Sequence, residues 1–199
     1  MKRYSVTRMR KECQTIYRMM LAEAVFSLVF SALCGALWKV LDDGETKAPL
    51  FFTGVFLVLS LFLLGMYFVV SDEKWMIKHT VYGKTLLKLG DAETLIQDID
   101  REAEAMDYEC TAFAIMPHWL VLYQPSSLRK WGEVQIQSRP IPASSIVRIG
   151  WDRETQEENA GFFVHITTAD GAVWRTLAWE NADIEALQRW SALQEKKEA

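Results

Sequence analysis

The sequence predicts an α+β protein in which two long apolar helices precede a polar domain of antiparallel strands that ends in a helix. Two apolar runs of 20 and 22 residues, 19–38 and 49–70, occupy the first third of the chain. As a helix, each run would be about 30 Å long, which matches the hydrocarbon core of a bilayer. Later segments alternate with the period of strands, and the last segment returns to helical spacing.

These patterns divide the chain into three parts. Residues 1–18 form a basic N-terminal segment, residues 19–70 form a transmembrane helical hairpin with spans at about 19–41 and 49–70, and residues 71–199 form a polar domain. A cleaved signal peptide is the competing interpretation of the first run. The apolar core of a signal peptide is only about 7–15 residues long, so an uncleaved membrane anchor fits better.

The charges that flank the two runs predict the orientation of the hairpin. Residues 1–18 carry six basic side chains and one acidic side chain, and four lysines lie between positions 74 and 88. Basic residues close to a span tend to remain in the cytoplasm. We therefore predict a multi-pass protein of the cell membrane, with both the N-terminus and the C-terminal domain in the cytoplasm.

Small residues predict how the first span packs. Ser27, Ser31 and Gly35 recur every four residues and so share one helix face, where small side chains allow two helices to approach closely in lipid. Two interpretations remain open, because this face either packs on the second span or joins a second copy in a homo-oligomer. On the second span the small candidates are Gly54, Ser60 and Gly65.

Glu23 is the one acidic residue within either apolar run. An ionisable side chain inside a span is costly and is therefore a functional candidate. Glu23 also lies close in sequence to Arg18, so the alternative is a structural role, either as an ion pair with Arg18 or through contact with the headgroups.

The three cysteines, Cys13, Cys34 and Cys110, show no metal-binding or disulfide spacing. A scattered, odd set is typical of a reduced cytoplasm. Cys13, near the predicted membrane, is either an acylation site or an ordinary thiol. We predict no metal and no cofactor.

The polar domain is predicted to begin with a helix that Asp91 caps and to end with a helix that Asn181 caps. Apolar residues follow a three-to-four spacing in both helices. Acidic residues on the opposite face of the first helix are interpreted as a solvated surface. Between the helices, alternation and turn signals predict six strands: 109–116, 119–123, 134–137, 145–151, 162–168 and 172–178.

Two turn signals are specific. Asp170-Gly171 predicts a hairpin between the last two strands, and Pro140-Ile141-Pro142 is interpreted as a turn. Together these elements predict a curved sheet or partial barrel that the last helix closes.

Several short motifs resemble those of uncharacterised bacterial membrane proteins that pair an N-terminal two-helix hairpin with a pleckstrin-homology-like domain. The similar segments are His118-Trp119-Leu120-Val121, residues 141–146, the strand 147–151, the Asp170-Gly171 hairpin and the helix near residues 89–102. The resemblance implies a pleckstrin-homology-like (PH-like) fold and a role in binding or assembly. It implies no catalytic residues.

Composition argues against several functions. Residues 71–199 have a net charge of −7, which disfavours a phosphoinositide cup and nucleic-acid binding, since both need a positive face. No nucleotide-binding, hydrolase or zinc-protease motif occurs. Arg129, Lys130 and Trp131 form a cationic and aromatic loop, which is interpreted as a contact site or as a segment in which Trp131 dips toward the headgroups.

The leading hypothesis is a membrane-anchored protein-interaction or assembly module without catalytic activity. Its partners would be the lipid bilayer and an unidentified membrane or cytoplasmic protein. One alternative is an accessory or sensory subunit of a membrane transporter or envelope complex, in which Glu23 is functional. The other is an enzyme whose site the sequence does not reveal.

Overall fold

The computed structural model describes residues 3–40, 48–125, 136–153 and 161–198. These residues form two compact units. One unit is Cys13–Met76, and the other combines Met1–Glu12 with Ile77–Ala199. We call the first unit the hairpin unit and the second the domain unit.

The hairpin unit is built on two long helices, α2 (Gln14–Val40) and α3 (Ala48–Val70). Both are long and apolar enough to cross a membrane, as the two apolar runs predicted. The predicted loop between the spans lies outside the described residues. Helix α4 (Glu73–His79) follows α3.

Among its described residues, the domain unit contains four further α-helices. The unexpected one is α1 (Tyr4–Glu12), which comes from the basic N-terminal segment. Helix α5 (Val81–Leu89) begins after Thr80, whose hydroxyl accepts a hydrogen bond from the Gly83 amide. The remaining two are α6 (Ala92–Glu102) and α7 (Asn181–Glu198).

The helix start at Asp91 is confirmed, because the Asp91 carboxylate accepts a hydrogen bond from the Thr94 amide at 3.3 Å and so caps α6. In α7 the predicted cap is wrong. Asn181 is already the first helical residue, and it is Asp183 that accepts hydrogen bonds from the amides of Trp179 and Glu180. A carboxylate within the first turn reaches back to these amides more readily than Asn181 does.

In the described part of the chain, seven strands form two antiparallel sheets. The four-stranded sheet has the order β1-β2-β3-β4 and the three-stranded sheet has the order β5-β6-β7. In chain order the strands are Tyr108–Glu109, Phe113–Ile115, Trp119–Pro125, Ile136–Pro142, Ile146–Arg153, Phe162–Thr168 and Val173–Ala178. The mixed α+β class is confirmed.

Two sequence predictions about the strands are wrong. The predicted strand 109–116 is a tight hairpin of β1 and β2, in which the Cys110 amide donates to the Phe113 carbonyl. Pro140-Ile141-Pro142 is the end of β4, paired with β3, and not a turn. A strand at the edge of a sheet tolerates proline because only one of its sides needs amide donors.

The predicted hairpin at Asp170-Gly171 is confirmed. The Thr168 amide donates to the Ala172 carbonyl at 3.0 Å, and Gly171 has a φ of 81°, a conformation that favours glycine. The Asp170 carboxylate accepts a further hydrogen bond from the Thr168 hydroxyl at 2.6 Å.

Both sheets and α7 share one hydrophobic core. The Thr176 hydroxyl on β7 lies close to the backbone carbonyls of Ala112 and Tyr123, at 3.2 and 2.8 Å, which ties the second sheet to the first. The Trp190 indole on α7 donates to the Met116 carbonyl at 2.9 Å. Core side chains come from every layer: Phe113, Ile115, Leu120, Leu122, Ile141, Val164, Ile166, Ile184, Leu187 and Trp190.

Candidate functional site

Helix α1 is docked on the domain unit mainly through polar contacts. Ser5 and Met9 are fully buried. The Ser5 hydroxyl lies 2.9 Å from the Tyr82 hydroxyl on α5, and the Ser5 amide donates to Asp100 on α6 at 2.7 Å. Arg3 forms an ion pair with the same Asp100 carboxylate at 3.0 Å.

Two tyrosines and an ion pair connect α1 to the first sheet. The hydroxyls of Tyr4 and Tyr123 lie 2.6 Å apart, and the Tyr123 hydroxyl donates to Glu109 at 2.8 Å. Arg8 pairs with Glu109, and its guanidinium lies over the rings of Tyr4 and Tyr123 at 5.0 and 4.1 Å. Burial raises the pKa of both tyrosines, so their hydroxyls stay protonated and act as hydrogen-bonding groups.

Glu12, the last residue of α1, lies between two elements. Its carboxylate accepts a hydrogen bond from the Val81 amide at the start of α5 and another from the Ser138 amide on β4, both at 2.8 Å. Strand β4 is an edge strand of the first sheet, and Glu12 satisfies an amide on this strand. Helix α1 therefore covers an edge that would otherwise offer an unpaired amide.

Burial dominates the protonation of Glu12. It raises the pKa of this carboxyl from 4.5 to about 7, although the backbone donors and the nearby Arg139 favour the charged form. Arg139 stacks on Trp174, with its guanidinium carbon 3.5 Å from the ring centroid. Burial lowers the pKa of Arg139, and the charge of Glu12 opposes that shift.

A cleft of about 780 Å³ lies between α1, α6 and β1. Its polar lining is largely committed to the contacts already described, because Arg3 pairs with Asp100 and Arg8 pairs with Glu109. Polar side chains that are paired with each other hold α1 in place and offer few groups to a ligand. We therefore regard this region as structural.

The second sheet presents a more open surface. Within the described residues, β5 pairs only with β6, so its other side is a sheet edge. A β-bulge at Val147 interrupts the pairing, and the Val147 side chain is 69% exposed. A groove of about 250 Å³ separates β5 from the last part of α7, where Trp190, Ser191 and Gln194 line it.

The outer face of the same sheet carries basic side chains. Gly150 on β5, His165 on β6 and Arg175 on β7 lie side by side across the strands. Arg148 and Arg175 are exposed and, with His165, line a depression of about 380 Å³. Asp152 lies 3.1 Å from His165 and is the acidic residue of this lining. The β5 surface, which we define as Val147–Arg153 with Arg175, is thus locally basic in an acidic domain.

The small residues of α2 pack against α3. Ser27 and Ser31 are buried, and the Ser31 hydroxyl donates to the Thr53 carbonyl on α3 at 2.9 Å. On α3, Ser60 donates to the Ala24 carbonyl at 3.1 Å. A Cβ atom added to Gly35 would lie 3.7 Å from the Thr53 side chain. The structure thus places this face against α3.

Gly54 and Gly65 on α3 lie outside the contact between α2 and α3. A Cβ atom added at either glycine would meet nothing within 4 Å, so neither takes part in close helix packing in the hairpin unit. Serine hydroxyls, which bond to the facing backbone, and not the α3 glycines, mark the contact between these two helices.

Glu23 is exposed on the surface of α2. It makes no hydrogen bond or ion pair with any residue that the structure describes, so the predicted pair with Arg18 is not formed within this chain. The loop residues Arg129, Lys130 and Trp131 lie outside the described residues.

Sequence reasoning missed α1 and the β5 surface. The only early signal for α1 is a helical spacing of Ser5, Met9 and Glu12, which is too polar to read as an apolar stripe. The presence of Arg148 and Arg153 in the otherwise mainly apolar segment 146–153 is the corresponding signal for the β5 surface.

Comparison with known protein families, with curated proteins and with solved structures found no match for this chain. Among the described residues, no group of three or more histidine, cysteine, aspartate or glutamate side chains is arranged to hold a metal ion.

Proposed function

We propose that this chain is a membrane-anchored protein-interaction module, without catalytic activity, whose PH-like domain binds an extended segment of a partner along β5. The observation that carries the interaction is the open β5 edge with its exposed Val147 and its arginines. A sheet edge supplies amide and carbonyl groups to an added strand, and side chains next to the edge select the partner.

The charge of the β5 surface specifies the partner further. Arg148 and Arg153 on β5 and Arg175 on β7 are exposed. The acidic residue of this surface, Asp152, lies close to His165. Charge complementarity favours a partner segment that carries acidic side chains. Residues 71–199 have a net charge of −7, so this local basic surface would also steer an acidic partner segment to β5.

The two chain segments that together form the domain unit support the proposed membrane topology. Residues before the first apolar helix and residues after the second belong to the same compact unit. This shared unit supports a topology in which both segments lie on one side of a membrane, as expected for two spans. The basic flanks favour the cytoplasmic side.

The experiment is affinity capture of the full-length chain from crosslinked membranes, with variants that change the β5 surface. We compare the wild type with a double variant, Val147→Asp with Arg148→Glu, and with Leu87→Asp. Leu87 on α5 is a matched control because it is also an exposed apolar residue. A partner that the wild type and the control retain, and that the double variant loses, supports the proposal. A partner that all three retain contradicts it.

One observation favours a second candidate function. Glu23 is exposed on α2 and has no partner among the residues that the structure describes, which suits an accessory or sensory subunit that contacts another membrane protein inside the bilayer. In that case Glu23→Gln would abolish capture of a membrane partner, while the β5 double variant would not.

A further inference from the structure

We propose that α2 forms a parallel homodimer in the membrane through its exposed face, with reciprocal ion pairs between Arg18 of each copy and Glu23 of the other. This inference rests on the proposed membrane insertion of the hairpin unit. It goes beyond that proposal because it names the partner of Glu23 as a second copy of this chain.

The serine face of α2 is already occupied by α3. The buried residues of this face are Ala24, Ser27, Ser31 and Cys34. Two of them, Ala24 and Ser31, form hydrogen bonds with α3. A second copy must therefore use another face. The stripe of small residues that suggested an oligomer from the sequence is not available for one.

The opposite face of α2 has a heptad spacing. Seven residues follow one another at alternating intervals of three and four, which is the repeat of a left-handed pair of helices, and the structure exposes all of them. We call this set the α2 seam. Its members are Met19, Ala22, Phe26, Val29, Leu33, Ala36 and Val40.

The two charges, Arg18 and Glu23, flank the seam. Arg18 directly precedes the seam residue Met19, and Glu23 directly follows the seam residue Ala22. These are the g and e positions that flank the interface of a parallel coiled coil, where a g residue faces the e residue five places further along the partner helix. Arg18 and Glu23 are five residues apart, so twofold symmetry forms the same pair twice.

The cost of exposing a carboxylate to lipid favours this ion pair. Glu23 has no partner among the described residues and lies on a helix that is apolar enough to span a membrane. A carboxylate that faces lipid is costly, and the cost falls when an opposite charge approaches. A shallow groove of about 580 Å³ also borders the seam, lined by Arg18, Ala22, Phe26 and Val29 with Leu21 and Val25, and it leaves space for side chains of a second helix.

The first test is disulfide crosslinking of the full-length chain in its membrane, in a background where Cys13, Cys34 and Cys110 are replaced by alanine. Val29→Cys places a thiol on the seam, and Leu28→Cys places one on a different face of the same helix. The two parent side chains are exposed to nearly the same extent, 53% and 51%, so they form a matched pair. We expect oxidation to yield a dimer from Val29→Cys and not from Leu28→Cys. No dimer from Val29→Cys, or equal dimer from both, overturns the proposal.

The second test examines the ion pairs in the Val29→Cys background. Glu23→Arg alone, or Arg18→Glu alone, should lower the crosslinked fraction by about tenfold, since each places like charges together in both pairs. Co-expression of the two single variants, carrying different tags, should restore crosslinking between the tags, because each charge then faces its opposite. If the mixed pair crosslinks no better than the single variants, the reciprocal ion pair is refuted.

Carbonate extraction distinguishes failure of this inference from failure of the proposed anchoring. A chain that remains in the carbonate-washed membrane but gives no Val29→Cys dimer refutes the homodimer alone. A chain that carbonate extracts refutes the membrane insertion and the homodimer with it.

Discussion

At the scale of single residues, Glu12 connects the N-terminal helix to both α5 and β4 through one carboxylate. A buried carboxylate with a raised pKa holds its proton more tightly in the docked state than in the unfolded chain. Docking is then most stable at low pH. Stability falls as the pH rises from 4.5 through about 7, and it is lowest above that range.

The first prediction follows from the direction of this pH dependence. Between pH 5 and pH 8, the wild-type domain should lose stability on the order of 1–3 kcal/mol through Glu12, and Glu12→Gln should remove most of this dependence. The measurement is hydrogen-exchange protection of residues 4–12 in the full-length chain, corrected for the intrinsic effect of pH on exchange. Protection in the wild type that is constant across this range would contradict the prediction.

At the scale of elements, α1 shows why sequence patterns found some parts of this protein and missed others. A helix that crosses lipid needs about twenty consecutive apolar residues, so the two long apolar helices could be predicted from composition alone. Met9 and Ser5 are the fully buried residues of helix α1, and its other contacts are made by polar groups whose partners lie far away in sequence, such as Glu12 with Ser138. No local period encodes those contacts.

Strand β4 gives the complementary case. Pro140 and Pro142 are turn formers by local propensity, but pairing with β3 and cover from α1 override that propensity. The β6–β7 hairpin was predictable because its turn is determined by two adjacent residues, Asp170 and Gly171.

The second prediction concerns α1 as an element. Met9→Ala should weaken docking by about 2–4 kcal/mol, because Met9 is fully buried and its removal leaves a cavity. Arg10→Ala on the same helix is the control, and it should change stability by less than about 0.5 kcal/mol because Arg10 is exposed. The measurement is again exchange protection over residues 4–12. Similar losses in both variants would contradict the role of the buried Met9 side chain in docking.

At the scale of the whole molecule, the domain unit is assembled from two separate stretches of chain. The sequence pattern predicts a boundary at the apolar runs, with residues 1–18 as a basic segment outside the domain. The structure instead makes α1 part of the domain. The chain thus connects the domain unit to the hairpin unit at both ends of the hairpin, after Glu12 and before Ile77.

The third prediction follows from this division. A fragment of residues 71–199 lacks α1, so the Ser138 amide on β4 loses its acceptor and the Tyr82 hydroxyl loses Ser5. Its melting temperature should be lower than that of a version in which residues 1–12 are joined to it by a flexible linker. The difference should be roughly 8–16 °C, given a loss of about 2–4 kcal/mol in a domain of this size. Equal melting temperatures would mean that α1 contributes no stability to the domain.

The central claim is that the β5 surface is where a partner binds. The most direct measurement is site-specific photocrosslinking in intact cells, with a photoreactive amino acid at Val147 or, as the control, at Leu87 of the full-length chain. Binding along β5 predicts a discrete adduct with another protein from Val147 and none from Leu87. Adducts from both positions, or from neither while the chain is present at normal levels in the membrane, would contradict the claim.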